Sequence, residues 1–326
     1  MFVPHAGCPH RCNFCDQRVI SATEQVPDAA CVQKTLDTAI EHLGDRARTA
    51  ELAFFGGSFT AIDRSLMCQL LEAAQPYIGK IAGIRISTRP DAVDQTVLGV
   101  LKKYGVTAIE LGAQSMDDRV LAQNRRGHSA RDTTEASARI RANGFSLGLQ
   151  MMTGLPGSSM EQDLATAQAL ISLKPDTVRI YPTVVLAGTA LEQAYQSEVY
   201  VPPSLDETVT LCAMLSERFE QADIKVIKLG LHAGEVESHI VAGPWHPALR
   251  ELVESKRMLS KITAAMPHPC DMVVRVAPCD LSKAVGHCGQ NRKQLEKMGY
   301  QVAFEGTLEV PPGAVEMERR GKEVCC

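Results

Sequence analysis

Short runs of apolar and β-branched residues alternate along the chain with stretches whose apolar positions recur at three- and four-residue steps. The runs are Met1 to Val3, Glu51 to Phe55, Gly83 to Ser87, Ala108 to Gly112, Leu147 to Met151 and Thr177 to Tyr181. Between them, sets such as Leu66, Leu70 and Leu71, or Leu164, Ala167, Leu170 and Ile171, fall on one face of a helix. Repeated strand and helix predict a parallel sheet, because parallel neighbours need a crossover that is usually helical. Six such units predict an α/β fold, a partial (β/α)6 barrel of the TIM type. After Pro182 the pattern changes. Leu205 to Phe219 reads as a long helix, Lys225 to Leu231 as a strand, Pro244 to Pro247 as a turn around Trp245, and Leu249 to Ile262 as a helix. Met272 to Val276, Asn291 to Met298 and Gln301 to Phe304 then predict a strand-helix-strand module. The expected division is a barrel over residues 1–232 and a small α/β extension over 233–326, which would close the open side of the barrel and cap the substrate site.

Composition narrows the class. With 45% hydrophobic and 22% charged residues the chain is that of a globular protein with a large core. Lys and Arg number 34 against 38 Asp and Glu, a net charge of -4, so no overall positive field draws it onto nucleic acid or anionic membrane; a local basic patch stays open. No apolar run reaches the roughly 18 residues of a membrane span, and the N-terminus lacks the pattern of a signal peptide. A cytoplasmic protein without a membrane partner is expected. The 11 cysteines are odd in number and irregularly spaced apart from one cluster, which predicts reduced thiols with one group set aside for a metal.

That group is Cys8, Cys12 and Cys15, in the stretch Gly7-Cys8-Pro9-His10-Arg11-Cys12-Asn13-Phe14-Cys15 directly after the first strand. Soft thiolates select zinc, copper(I) or iron-sulfur clusters. A structural zinc wants four ligands and a self-contained electron-transfer cluster usually four cysteines. Three thiolates on a cubane leave one iron open to a substrate or cofactor. A zinc site completed by His5 or His10 and three incidental buried cysteines are the alternatives.

The spacing C-x3-C-x2-C resembles the signature of the radical S-adenosylmethionine (radical SAM) superfamily. Further motifs follow in order: Gly56-Gly57-Ser58-Phe59, Ser87-Thr88-Arg89-Pro90-Asp91, Glu110-Leu111-Gly112-Ala113-Gln114-Ser115, Asn124 to His128, Met152 to Gly157, and Arg179-Ile180-Tyr181-Pro182. Together they resemble the radical SAM domain of the Elongator catalytic subunit over about Phe2 to Leu231, with a more distant likeness to oxygen-independent coproporphyrinogen oxidase. The resemblance implies a 4Fe-4S cluster on Cys8, Cys12 and Cys15. Its open iron chelates SAM, an electron cleaves the sulfonium, and a 5′-deoxyadenosyl radical takes hydrogen from a substrate. It also implies that Gly56, Gly57 and Ser58 receive the SAM ammonium, that Gln114 faces SAM, that Arg126 pairs with its carboxylate and that Gln150 faces the ribose. Arg125 offers a second guanidinium one residue away. Glu110 and Tyr181 point to the rim by pattern, as ligands or equally as a strand-end ion pair and barrel packing.

An electron donor such as flavodoxin or ferredoxin is implied, and tRNA is a candidate substrate by family likeness. A small molecule or peptide, or a non-catalytic zinc or scaffold role, are the alternatives. The roughly 95 residues after Leu231 are too few and wrongly patterned for the acetyltransferase domain of the Elongator subunit, so acetyl-CoA chemistry is not expected. The chain starts only seven residues before Cys8, so either the barrel opens there or the start is truncated. Three weaker candidates remain. His232 and His239 are read as ordinary histidines, Cys270, Cys279 and Cys288 as a remote chance of a second cluster, and Lys225 and Lys228 as a substrate-facing basic surface or a solvated edge.

Overall fold

The computed structural model describes residues 1–3, 8, 12–15, 26–231 and 237–320. His5, His10 and His232 lie outside them. Seven parallel strands form one curled half-barrel sheet in the order β1 (Phe2–Val3), β2 (Glu51–Gly56), β3 (Gly83–Thr88), β4 (Val106–Gln114), β5 (Ser146–Thr153), β6 (Thr177–Pro182) and β8 (Lys225–Leu229). The expected strands are all present: five run one to four residues beyond their apolar runs, and the first and last are shorter than expected. The seventh, Lys225–Leu229, adds to the six expected units: it pairs with β6 rather than standing apart.

One face of this sheet is apolar. Phe54, Ile84, Ile86, Ile109, Leu111, Leu147, Leu149, Val178 and Ile180 are all fully buried. They lie on the side covered by helices, whose apolar faces supply Met67, Leu70 and Leu71 from α2 (Arg64–Ala73), Leu98 and Leu101 from α3 (Gln95–Lys103), and Ala167 and Leu170 from α6 (Met160–Ser172). A strand buried on both faces loses the simple alternation of apolar and polar residues, as β4 does: eight of its nine residues are buried. Most of the crossover helices begin on an oxygen that caps orphan amides. Asp28 starts α1 (Ala29–Leu43), Asp63 starts α2, Asp94 starts α3, Asp117 starts α4 (Asp118–Gln123), and Ser129 with Asp132 forms a capping box on α5 (Ala130–Ala142). These caps fix where each helix begins, and so the length of each loop at the carboxyl ends of the strands.

Contacts divide the chain into two units. One holds Met1–Ser204 and Arg218–Trp245, the other Leu205–Glu217 and His246–Cys326. In the first, a short antiparallel pair joins β7 (Val185–Leu186) to β9 (Ile240–Ala242). In the second, β10 (Asp271–Val276) pairs in parallel with β11 (Gln301–Gly306) and antiparallel with β12 (Val315–Arg319). Met258, Ile262, Met272, Val274, Val276, Leu295 and Tyr300 make its core. The expected strand-helix-strand module is there, and β12 completes the sheet. Its sequence, Val-Glu-Met-Glu-Arg, alternates, but too many charges interrupt it to stand out.

Candidate cluster and cofactor site

The cysteine loop is docked by backbone bonds, not by its own composition. The Asn13 amide donates to the Asn124 carbonyl at 3.3 Å, the Asn13 side-chain amide to the Gln123 carbonyl at 2.7 Å, and the Leu191 amide to the Asn13 carbonyl at 2.8 Å. Phe14 packs on Val185, Leu191 and Tyr200. Within the loop, the Cys15 amide donates to the Cys12 carbonyl at 3.2 Å. The segment that carries two of the three cysteines is thereby tied to the turn that follows α4.

That turn carries Arg126. Arg125 takes a left-handed conformation (φ 53°) and stays exposed, and Gly127 follows at φ 69°, so the chain turns sharply and sends the side chain between them inward. Arg126 is only 8% exposed. Its Nη1 donates to Cys12 Sγ at 3.2 Å and its Nη2 to the Gly112 carbonyl at 2.7 Å. Of the two neighbouring arginines, Arg126 is the one turned inward and Arg125 the one left exposed. Arg89, bound to Asp91 through Nε at 2.8 Å and Nη2 at 2.9 Å, also donates to the Arg126 carbonyl at 2.9 Å.

Gln114, at the end of β4, is held at φ 65°, a conformation that costs a residue with a Cβ of order 1–3 kcal/mol and recurs at ligand sites. A Cβ on Gly112 would lie 3.0 Å from Gln114 Nε2 and 3.3 Å from Arg126 Nη2, so glycine makes room for both side chains. At the second strand, Gly56 has φ 117°, and a Cβ there would meet the Phe2 ring at 2.7 Å. The Gly57 amide donates to the Val3 carbonyl at 2.9 Å, and the buried Ser58 hydroxyl lies 3.7 Å from Cys8 Sγ. The structure thus brings Cys8 to Ser58, and Cys12 to Arg126 and thence to Gly112 beside Gln114. Gln150 is Gly112's neighbour in the sheet register, and its amide is turned to Glu110 at 2.8 Å.

Among the described residues, no three His, Cys, Asp or Glu side chains converge as ligands of one ion. Thiolates on a cubane bind three different irons and have no need to converge on a point. The chain's groups fit the cluster and SAM on other grounds. Gln114 Oε1 and Arg126 Nε are buried without a partner among the described residues, and unsatisfied buried polar atoms at the mouth of a barrel are what a polar ligand would satisfy.

His128 records the electrostatics. Its Nε2 lies 3.2 Å from the Ala113 carbonyl, which can only accept, so Nε2 carries the proton. Burial first, and the Arg126 charge second, push its pKa down to about 4, leaving the ring neutral at pH 7.

Deeper along the strands an ion-pair hub surrounds Glu110; the sequence offered the ion pair as one of two alternatives and missed its partners. Glu110, 1% exposed, accepts from Arg179 Nη2 at 2.9 Å, Arg85 Nη1 at 3.3 Å, Gln150 Nε2 at 2.8 Å and Ser87 Oγ at 3.5 Å, while Arg85 also holds Glu51 at 2.6 Å. Burial acts to lower the Arg179 pKa, yet it is raised, because the bonds and charges of Glu110 and Tyr181 together outweigh burial; burial raises the Tyr181 phenol. Arg85 with Ser87, Glu110, Gln150, and Arg179 with Tyr181 share one sheet face at two-residue steps, a signal that period-2 reading of adjacent strands could have given. Asp163 was missed too. Buried on α6, it accepts from the Gly154 amide at 2.8 Å and the Ser158 hydroxyl at 2.6 Å, and Tyr200 donates to the Gly154 carbonyl at 2.7 Å, so the Gly154 to Ser158 loop is clamped from two sides.

His239 lies beside Ser238 at 3.1 Å, Cys270 packs on the core of the second unit, Cys279 and Cys288 are exposed, and Lys225 is exposed on β8. Lys228 is Arg179's register neighbour. No helix among the described residues is long and apolar enough to cross a membrane.

The fold is a parallel half barrel with a cysteine loop after its first strand, a glycine turn after its second and a buried arginine against the cysteine loop, all at the carboxyl ends of the strands, where α/β barrels carry their active sites. Residues 2–170 match the model of the Radical SAM superfamily and residues 175–259 that of the Radical_SAM C-terminal domain; the chain belongs to the radical SAM superfamily. It is 28% identical over 230 residues to a tRNA uridine(34) acetyltransferase of Dehalococcoides mccartyi, covering 60% of this chain and 50% of that one. It is 34% identical over 145 residues to Elongator complex protein 3 of Saccharomyces cerevisiae, 44% of this chain and 26% of that one. The chain spans about half the length of the tRNA acetyltransferases it matches. Among solved structures, the archaeal Methanocaldococcus infernus Elp3 shares the fold with a TM-score of 0.61 at 23% identity, covering 73% of this chain and 59% of that one. Streptococcus suis SuiB bound to S-adenosylmethionine gives 0.52 at 16%, covering 71% and 50%.

Proposed function

We propose that this chain is a radical SAM enzyme that acts on RNA of the tRNA class. Cys8, Cys12 and Cys15 hold a 4Fe-4S cluster, and Gly56, Gly57, Ser58, Gln114, Arg126 and Gln150 hold SAM. When bound, these groups supply an electron and an organic radical that removes hydrogen from the substrate. The observation that carries the reading is the contact of Arg126 with Cys12 and Gly112 beside the strained, unsatisfied Gln114.

The chain's own residues do the positioning. Arg126 offers a fixed guanidinium to a carboxylate. Gln114 Oε1 accepts from a donor, and Gly56 lets the chain turn after the second strand where a Cβ would meet the Phe2 ring. Gln150, with its amide nitrogen turned to Glu110, keeps its carbonyl for a hydroxyl donor. The names of the relatives, tRNA uridine(34) acetyltransferase and Elongator complex protein 3, support the choice of RNA. A flavodoxin or ferredoxin would supply the electron.

Anaerobic reconstitution with iron and sulfide, followed by dithionite and SAM, should yield 5′-deoxyadenosine, lost in Cys12→Ala and accelerated by tRNA. Product that survives Cys12→Ala overturns the cluster assignment. An undiminished yield at all salt concentrations, with or without tRNA, overturns the substrate.

A further inference from the structure

We infer that Arg126 sets the reduction potential of the cluster by donating to the sulfur of Cys12, a role separate from any contact with SAM. The inference rests on the reading above for the presence of the cluster. Arg126 is held at both its backbone and its guanidinium. Its amide donates to the Leu121 carbonyl at 3.0 Å, its carbonyl accepts from Arg89, and its guanidinium is held on one side by the Gly112 carbonyl and on the other by Cys12 Sγ. The guanidinium cannot be neutralised at any ordinary pH. At 8% exposure its charge is poorly screened. The same field is visible two residues on, where it helps burial keep His128 neutral.

Reduction adds one electron, and its charge spreads over the irons, the sulfides and the ligating thiolates. A cation that donates to one of those thiolates stabilises the reduced cluster more than the oxidised one and raises the potential, since hydrogen bonds to sulfur and net charge are among its determinants. Of Arg126's five donors, one lies on Cys12 and one on Gly112, so the contact with sulfur leaves Nε and two further hydrogens for a carboxylate. The two roles are compatible on one side chain.

The test uses the full chain, reconstituted anaerobically without SAM, as wild type, Arg126→Gln and Arg126→Lys. Iron and sulfide content and visible absorption establish cluster loading, and a dithionite titration followed by the electron paramagnetic resonance signal of the reduced cluster gives the midpoint. Arg126→Gln should have a more negative midpoint than wild type at equal loading, with Arg126→Lys at or between the two. A midpoint of Arg126→Gln equal to or above wild type overturns the inference. So does failure of both variants to load while wild type loads, because Arg126 would then be a structural tie for the cysteine loop. Failure of the wild type itself to load overturns the functional reading and this inference with it.

Discussion

Replacing Glu110 by glutamine tests the ion-pair hub. The carboxylate has two oxygens and no hydrogen, and it accepts from Arg85, Arg179, Gln150 and Ser87 at once. Glutamine keeps the shape but brings one oxygen and one NH2. Either orientation sets that NH2 against a guanidinium or against the Gln150 amide, and removes the negative charge between two positive ones. Breaking a fully buried pair costs about 3–5 kcal/mol. Arg85 and Arg179 retain 14% and 25% side-chain exposure, and Arg85 keeps Glu51, so the lower end, about 3 kcal/mol, applies. For a unit of roughly 230 residues, where each kcal/mol moves Tm by about 2–4 °C, the melting point should fall by about 6–12 °C. Differential scanning calorimetry of the cofactor-free chain under anaerobic conditions measures it, and Arg179→Met in a double-mutant cycle should show strong coupling. A Glu110→Gln transition within about 2 °C of wild type, or additive behaviour with Arg179→Met, would refute the hub.

Asp163 should make stability depend on pH. Burial raises its folded pKa from 3.8 to about 6, so the folded state binds the proton more tightly than the unfolded chain. This favours folding fully below the unfolded pKa and is lost as pH rises through about 6, by about 3 kcal/mol in all. Asp163→Asn should flatten the stability difference between pH 4 and pH 7 in urea titrations; an unchanged slope would contradict the assignment. Gln114→Gly removes a left-handed side chain and a buried unsatisfied oxygen, so urea midpoints should stay level or rise while SAM binding, followed by calorimetry on the reconstituted chain, weakens about tenfold or more. Unaltered SAM affinity would remove Gln114 from the site. In Gly148→Ala the new methyl would sit 2.7 Å from Glu110 Cγ, an overpacking cost of about 1–3 kcal/mol in the urea midpoint, and no loss would show that the hub yields there.

Much of the site was legible one piece at a time. The three cysteines, the Gly56-Gly57 pair and Arg126 stood out because each is an unusual residue at a loop after a strand. Glu110 was legible only as an alternative, rim ligand or ion pair, because a carboxylate on a strand carries no mark of its partners. Arg85 lies 25 residues from Glu110 and Arg179 lies 69 away, and only the register of adjacent parallel strands sets them on one face. Asp163 is a first-turn acid of α6, and its grip on Gly154 depends on how the preceding loop folds back.

The amino-acid sequence by itself determined the elements and their kind, because hydrophobic period and capping residues act over a few positions and each helix or strand must satisfy its own backbone. It also determined the chemistry on offer, three soft donors and a glycine turn, because those are properties of residue types. Only the tertiary structure decided which groups meet. Arg126 reaches Cys12 across 114 residues through a turn, a docked loop and a carbonyl at Gly112, and the seventh strand joins the sheet through pairing with β6. Such contacts arise from closing loops and matching registers over the whole domain, energies that no local stretch of chain contains.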